Sequence, residues 1–245
     1  MTFEPFFTHG ASRSNPWLIT CDHANNTVPD FVNGGDLGLA QADMQRHIAY
    51  DIGAAGVTRA LADILDAPAI LSNFSRLVID PNRGMDDPTL LMKLYDGTII
   101  PGNRTADDAE RQRRINGCYT PYHTAYETLA KRPNTVLVSI HSFTPQLKGR
   151  DLRPWEIGVL YHTDTRMALP LMDSLSAALD TPVGNNEPYA GHLPGDAIDQ
   201  HGLQKNRPNV LIEIRNDLIE TEQDQVKWAH FLAAHLVKAR AMTNL

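Results

Sequence analysis

Thr135-Val-Leu-Val-Ser-Ile140 runs almost without polar side chains and ends directly on His141. A run this short, this apolar and this rich in β-branched residues reads as a strand buried on both faces. Two other runs share the pattern. Trp17-Leu-Ile-Thr-Cys21 ends in the polar cluster Asp22-His23-Ala24-Asn25-Asn26, and Asn209-Val-Leu-Ile-Glu-Ile214 carries a carboxylate inside its apolar stretch. Ala69–Ser72, Arg76–Asp80 and Glu156–Tyr161 are further expected strands. A helix is expected from about Asp43 to Leu65, where Ile48, Ile52, Ala55, Val57, Leu61 and Ile64 recur at helical spacing despite Gly53 and Gly56. Others are expected over Ala106–Ala130, interrupted near Gly117 and Pro121, over Met167–Leu179, and from Thr221, as N-cap, to Ala239. Strands alternating with helices predict an α/β fold, with a mostly parallel sheet flanked by helices on both faces. No linker rich in Pro, Gly or Ser divides the chain, so one domain is expected over residues 1–245.

Charge and composition narrow the function. The net charge of −7 argues against nucleic acid or an anionic membrane surface as partner, both of which need a dense basic face. A small anionic substrate stays open, because a local arginine cluster can outweigh the global field. No apolar run is long enough to span a bilayer, and the two cysteines, far apart, make no disulfide framework. A cytoplasmic protein is expected.

Chemistry concentrates where expected strands end. In open α/β sheets ligands bind beyond the carboxyl ends of the strands, and four such ends carry Asp22-His23, Asp80-Asn82-Arg83, His141-Ser142 and Glu213-Arg215. His23 and His141 are candidate ligands of a zinc ion, since neutral imidazole donates a lone pair at fixed reach. A catalytic zinc takes three protein ligands, and Asp51 is the chosen third, with Asp22, Asn26 and His47 as alternatives. His47 lies four residues before Asp51, on the same face if the segment is helical. Glu213 sits among apolar neighbours, where a carboxylate is costly unless paired. It is either a general base or the structural partner of Arg215, whose side chain shares its face of the strand. Asn82 and Arg83 suit a substrate carboxylate, a fork matched to bidentate binding. A plain Pro-Asn turn is the bland alternative. Arg76 could serve the same pocket or pair with Asp80. The Gly- and Pro-containing stretch from Pro182 to Pro208 reads as a lid bearing His192 and His201, or as an exposed loop.

Taken in order, Cys21-Asp-His-Ala-Asn-Asn-Thr-Val-Pro29, His47-Ile-Ala-Tyr-Asp51, Ser75-Arg-Leu-Val-Ile-Asp-Pro-Asn-Arg83, Ser139-Ile-His-Ser142 and Leu211-Ile-Glu-Ile-Arg-Asn-Asp217 resemble the N-formylglutamate amidohydrolase family. The resemblance runs from Leu18 to about Leu236. It implies a zinc-exopeptidase-like fold and hydrolysis of a small acidic N-acyl amino acid, formally N-formyl-L-glutamate to formate and glutamate in histidine breakdown. Ser139–Ser142 with Leu211–Ile214 also resembles the zinc-dependent cell-wall amidases. There a first-helix glutamate joins two histidines on the metal, which is what places the third ligand on Asp51. Asp80–Arg83 resembles the Asn-Arg pair with which zinc carboxypeptidases hold a substrate carboxylate. Many relatives carry Pro-His-Ser-Gly where this chain has Asp22-His23-Ala24-Asn25, so the sequence reads as a divergent branch. The implied site is then His23, Asp51 and His141 on zinc, Glu213 as base, and Asn82, Arg83, Arg76 and Arg215 toward substrate. A cell-wall-type amidase and a catalytically silent metal- or ligand-binding relative are the competing readings.

Overall fold

The computed structural model of the protein describes residues 3–243 and 245. Its strands are β1 (Phe6–His9), β2 (Trp17–Cys21), β3 (Ala69–Ser72), a small hairpin of β4 (Leu94–Tyr95) and β5 (Thr98–Ile99), β6 (Val136–Phe143), β7 (Ile157–Leu160), β8 (Gly184–Asn185) and β9 (Asn209–Arg215). Apart from the hairpin they form one seven-stranded sheet in the order β1-β3-β2-β6-β9-β7-β8. Its centre, from β3 through β2 and β6 to β9, is parallel; β1 and β7 run antiparallel to their inner neighbours. The helices are α1 (Gln41–Met44), α2 (Ala54–Ile64), α3 (Pro101–Arg104), α4 (Asp108–Arg114), α5 (Thr120–Ala130), α6 (Ala168–Ser176), α7 (Ala197–His201) and α8 (Glu222–Ala241). The α/β architecture is thus the expected one, a mostly parallel sheet with helices on both faces.

Side chains alternate along a strand, and the central strands use the two faces differently. Val136, Val138 and Ile140 of β6 and Val210, Ile212 and Ile214 of β9 enter a core under α2, α6 and α8. Leu137 and Leu211 point the other way, into a core built on Tyr119, Tyr122 and Tyr126 around α5. The residues that follow on that second face are Ser139 and His141 in β6 and Glu213 in β9, all buried. This face therefore turns from apolar to polar toward the strands' carboxyl ends. The chain leaves β2 for β3 on one side and enters β6 on the other, so β2 and β6 flank the switch point where a crevice forms.

Three local expectations are corrected. Arg76–Asp80 is not a strand: Ser75 accepts from the Leu77 and Val78 amides and its hydroxyl donates to the Ala49 carbonyl, so the segment turns. Leu77, Val78 and Ile79 are all fully buried, which no alternating strand face required. The helix expected over Asp43–Leu65 is two pieces, α1 and α2, broken at Gly53, whose φ of 80° is left-handed. A Cβ there would lie 2.2 Å from the Ile219 carbonyl oxygen, so the break is built for glycine. Asp51 consequently comes from the loop entering α2 rather than from a helix face shared with His47. Finally, β1 passes unnoticed in the sequence because only Phe6 and Phe7 mark it as apolar. The long stretch over Ala106–Ala130 does break where Gly117 lies, as a π-helical turn over Ile115–Tyr119 between α4 and α5. Thr221 caps α8, its hydroxyl accepting from the Asp224 amide at 3.1 Å. Among the described residues no helix is long and apolar enough to cross a membrane.

Candidate active site

His141 and Glu213 stand opposite each other in the register of β6 and β9, so their side chains leave the sheet side by side. His23 lies two residues beyond β2, and its carbonyl accepts the Asp51 amide at 2.9 Å, which ties the Asp51 loop to the β2 end. These constraints bring three side chains to one point. Asp51 Oδ2 is 3.3 Å from His23 Nδ1 and 2.9 Å from His141 Nδ1. One ligand atom from each of His23, Asp51 and His141 lies within 4.8 Å of the others, and all three residues are buried.

The far side of each ring explains why Nδ1 faces inward. His23 Nε2 donates to Asp80 Oδ1 at 2.7 Å. His141 Nε2 is 3.0 Å from Ser139 Oγ and 3.3 Å from Asp22 Oδ2, while the Tyr122 hydroxyl donates to Asp22 Oδ1 at 2.6 Å. Carboxylates only accept, so Asp80 and Asp22 fix a proton on each Nε2 and leave Nδ1 as the nitrogen a cation would take; hydrogen bonds to Asp22 and Asp51 hold the His141 pKa well above its usual value against burial. A cation taking the place of a proton at Nδ1 would meet two imidazole nitrogens and a carboxylate oxygen converging on one point. That donor set fits a divalent cation. Burial works to raise the pKa of Asp51, but His23 and His141 outweigh it and hold the carboxyl well below its usual range. Asp22 and Asp80 are buried too and are likewise held down, chiefly by His141 in one case and by Arg76 in the other.

Glu213 is the exception. Burial pushes its pKa up to about 7, a rise that Asp51 reinforces and His141 opposes. Its Oε2 is buried and has no hydrogen-bond partner among the described residues. Carboxylates held down beside one held near neutrality give the site a separate proton carrier.

The cleft over these groups has a volume of about 240 Å³. Arg76 forms part of its wall, donating to Asp80 Oδ2 at 2.8 Å, lying 3.7 Å from Asp51 Oδ1 and sitting 5.3 Å from the Tyr95 ring centroid. Its Nε is buried without a partner. Arg76→Met takes the guanidinium from the fully buried Asp80 and leaves its Oδ2 without that partner; stability measured by urea denaturation is expected to fall by about 3–5 kcal/mol. Arg83 also lines the cleft, and its hydrogen bonds go to neutral partners, Thr89 Oγ1 and the Asn82 carbonyl. Asn82 Oδ1 accepts from the Ala197 amide at 3.2 Å, which fixes the side chain at the cleft wall.

Arg215 is not brought to the cleft. It lies at the end of β9 opposite Phe143, where it donates to Asp217 Oδ1 at 2.8 Å and to the Trp155 carbonyl. It neither pairs with Glu213 nor reaches the site. His47 lines the cleft but points to Asp96, 3.4 Å away, rather than to the histidine cluster. Asn26 donates to the Met44 carbonyl, and Asp22 orients His141. The stretch from Pro182 to Pro208 contributes Tyr189, Gly191, Leu193 and Asp196 to the cleft wall. Its two histidines lie elsewhere: His192 stacks on His162, and His201 is buried against α5. Tyr95 and Asp196 carry no distinguishing spacing in the sequence, whereas Tyr189 falls in the Tyr189-Ala-Gly-His192 segment of the expected lid. Sequence reading also placed Asp22 and Asp80 without their roles as partners of the histidines. The strand-face alternation that carries Asp22 and Ser139 to the side of His141 was the available signal.

A mostly parallel α/β sheet with an acid–base cluster at its switch point is a frame on which hydrolytic enzymes are built. The model of the N-formylglutamate amidohydrolase family matches residues 15–220, and the chain belongs to that family. It is thereby an amide hydrolase by class. Among solved structures it is similar to a gene product from Agrobacterium tumefaciens, with 35% identity, 98% of this chain and 96% of that one covered, and a TM-score of 0.89. It shares its fold with the N-formylglutamate amidohydrolase from Ralstonia eutropha, at 23% identity, 98% coverage of both chains and a TM-score of 0.73. No curated protein sequence matches the chain.

Proposed function

We propose that the protein hydrolyses the amide bond of a small acidic N-acyl amino acid, with N-formyl-L-glutamate as the reference substrate, and that it does so with one zinc ion held by His23, Asp51 and His141. The observation that carries this reading is the convergence of two imidazole nitrogens and a carboxylate oxygen beside Glu213, whose buried Oε2 has no partner among the described residues. A divalent cation bound there would polarise the scissile carbonyl and let water act as a nucleophile near neutral pH.

The chain's own residues divide the remaining work. Glu213 takes a proton from the attacking water and delivers it to the departing nitrogen, so that amide and water become formate and free amine. Asp80 and Asp22 hold the two imidazoles in the tautomer that keeps Nδ1 bare. Arg83 and Asn82, with Arg76 behind them, hold the substrate carboxylate. A cleft of about 240 Å³ suits one amino-acid derivative better than a polymer strand.

A panel of N-formyl, N-acetyl and N-succinyl amino acids tests the reading through amine release. Turnover of acidic members only, abolished by chelation and restored by zinc, is the expected pattern. Zinc bound in the cleft without turnover of any member would replace it with a ligand-binding role. Arg83→Ala should raise KM for the acidic substrate by about 10–100-fold, the effect of losing a hydrogen bond to a charged group, with a smaller change in kcat.

A further inference from the structure

Beneath the cleft, between α5 and α7, lies a pair of imidazoles that the hydrolytic chemistry does not use. His123 on α5 and His201 at the end of α7 are 8% and 4% exposed. Nδ1 of His123 is 2.9 Å from Nε2 of His201. Each outer nitrogen faces an oxygen: His123 Nε2 lies 3.0 Å from the Pro81 carbonyl, and His201 Nδ1 lies 3.0 Å from Glu127 Oε2.

The proton count of this chain does not close with neutral rings. A carbonyl oxygen only accepts. Glu127 is gripped by Arg207 through both carboxylate oxygens, at 2.9 and 3.0 Å. Those hydrogen bonds, with the one from His201, pull its pKa down to about 2 against burial, so it too only accepts. Three hydrogen bonds between two accepting ends need three ring protons, and two neutral imidazoles own two.

We propose that His123 and His201 share three ring protons, with His201 as an imidazolium against Glu127, and that this charged pair positions Asn82 and Arg83 through the Pro81 carbonyl. The positioning role rests on the reading of Asn82 and Arg83 as ligands of the substrate carboxylate. Pro81 stands between Asp80, which orients His23, and the Asn82-Arg83 step on the cleft wall. A bond that fixes its carbonyl therefore fixes the direction in which that step leaves. The surroundings place the charge on one ring. Burial pushes His123 down to about 3, so that ring stays neutral and donates from Nε2 to Pro81. His201 is lowered by burial as well, but Glu127 and Asp22 favour its charged form while Arg207 opposes it. Tyr119 and Tyr122 pack on His123 and Tyr126 on His201, all three as neutral phenols with pKa values raised by burial. When the third proton leaves as pH rises, the carboxylate keeps His201 Nδ1–H. The one proton left cannot serve both the ring–ring contact and Pro81.

The test uses the zinc-loaded protein labelled with ¹⁵N in its imidazoles. At acid pH, NMR is expected to show one imidazole protonated on both nitrogens next to one carrying only Nε2–H. As that signal titrates away, KM for N-formylglutamate should rise about fivefold, the effect of one lost hydrogen bond, while kcat follows the ionisation of Glu213 alike in the wild type and the His201 variants. His201→Gln offers His123 an amide N–H that does not titrate, so its KM should stay low and flat with pH. His201→Leu leaves the single proton of His123 only Pro81 to serve, so its KM should likewise stay low and flat with pH. Two ring protons on the pair throughout the titration, or a KM that still titrates in His201→Gln, would overturn the proposal. Were no N-acyl amino acid turned over, the substrate reading would fall on its own, while the NMR arm still decides the three-proton pair.

Discussion

Glu213→Gln lowers kcat/KM for the N-acyl amino acid by about 10²–10⁴-fold, the contribution expected of a positioned general acid–base group, and leaves zinc content unchanged. The substitution keeps the shape of the side chain, and Glu213 is not among the three converging donors, so metal binding has no reason to suffer. The buried site also tolerates the neutral amide, because burial already disfavours the carboxylate there. Steady-state kinetics with metal analysis of the same sample checks both halves. The pH profile carries a second signature. A base must be ionised, and the pKa of Glu213 is raised to about 7, so activity should climb as pH rises through that region and fall away below it. A dication beside it favours the ionised form, so zinc should move this acid limb to lower pH. In Glu213→Gln the limb should vanish together with the rate.

His141→Gln should abolish turnover and weaken zinc binding by more than the roughly 10–100-fold that losing an outer partner of a ligand typically costs. Glutamine can still donate to Asp22, which is fully buried and would lose its imidazole partner with alanine. The variant therefore removes the donor atom while sparing most of the electrostatic cost to the fold. Zinc affinity measured by competition with a chromophoric chelator separates this from unfolding, which circular dichroism reports. Full zinc affinity in His141→Gln would remove His141 from the ligand set.

Much of this architecture could be read from the chain because its central strands are short, apolar and β-branched, and their ends are polar. The runs Trp17–Cys21, Thr135–Ile140 and Asn209–Ile214 became β2, β6 and β9, side by side in the sheet. His141 and Glu213 could be set on one side of the sheet by alternation alone, and the structure puts them in direct register. What was not legible depended on partners distant in sequence. Leu77, Val78 and Ile79 look like a strand, yet Ser75 hydroxyl bonds turn the chain there and send all three inward. Asp51 was expected on a helix, but α2 starts only after the left-handed Gly53, and the loop before it carries Asp51 to the histidines. Arg215 was expected at the substrate because it shares a face with Glu213; Asp217, two residues on, draws it away. The carboxylate of Asp22, read in the sequence only as an alternative ligand, lies against His141 Nε2.

The most direct test is a zinc titration of the chelated protein, followed at each point by hydrolysis of N-formyl-L-glutamate and by bound metal. Activity that is absent without metal and rises linearly to a plateau at one zinc per chain is the predicted result. Undiminished hydrolysis at zero bound metal would contradict a zinc site at His23, Asp51 and His141. A plateau reached with zinc still bound in a His23→Gln, His141→Gln double variant would place the metal elsewhere.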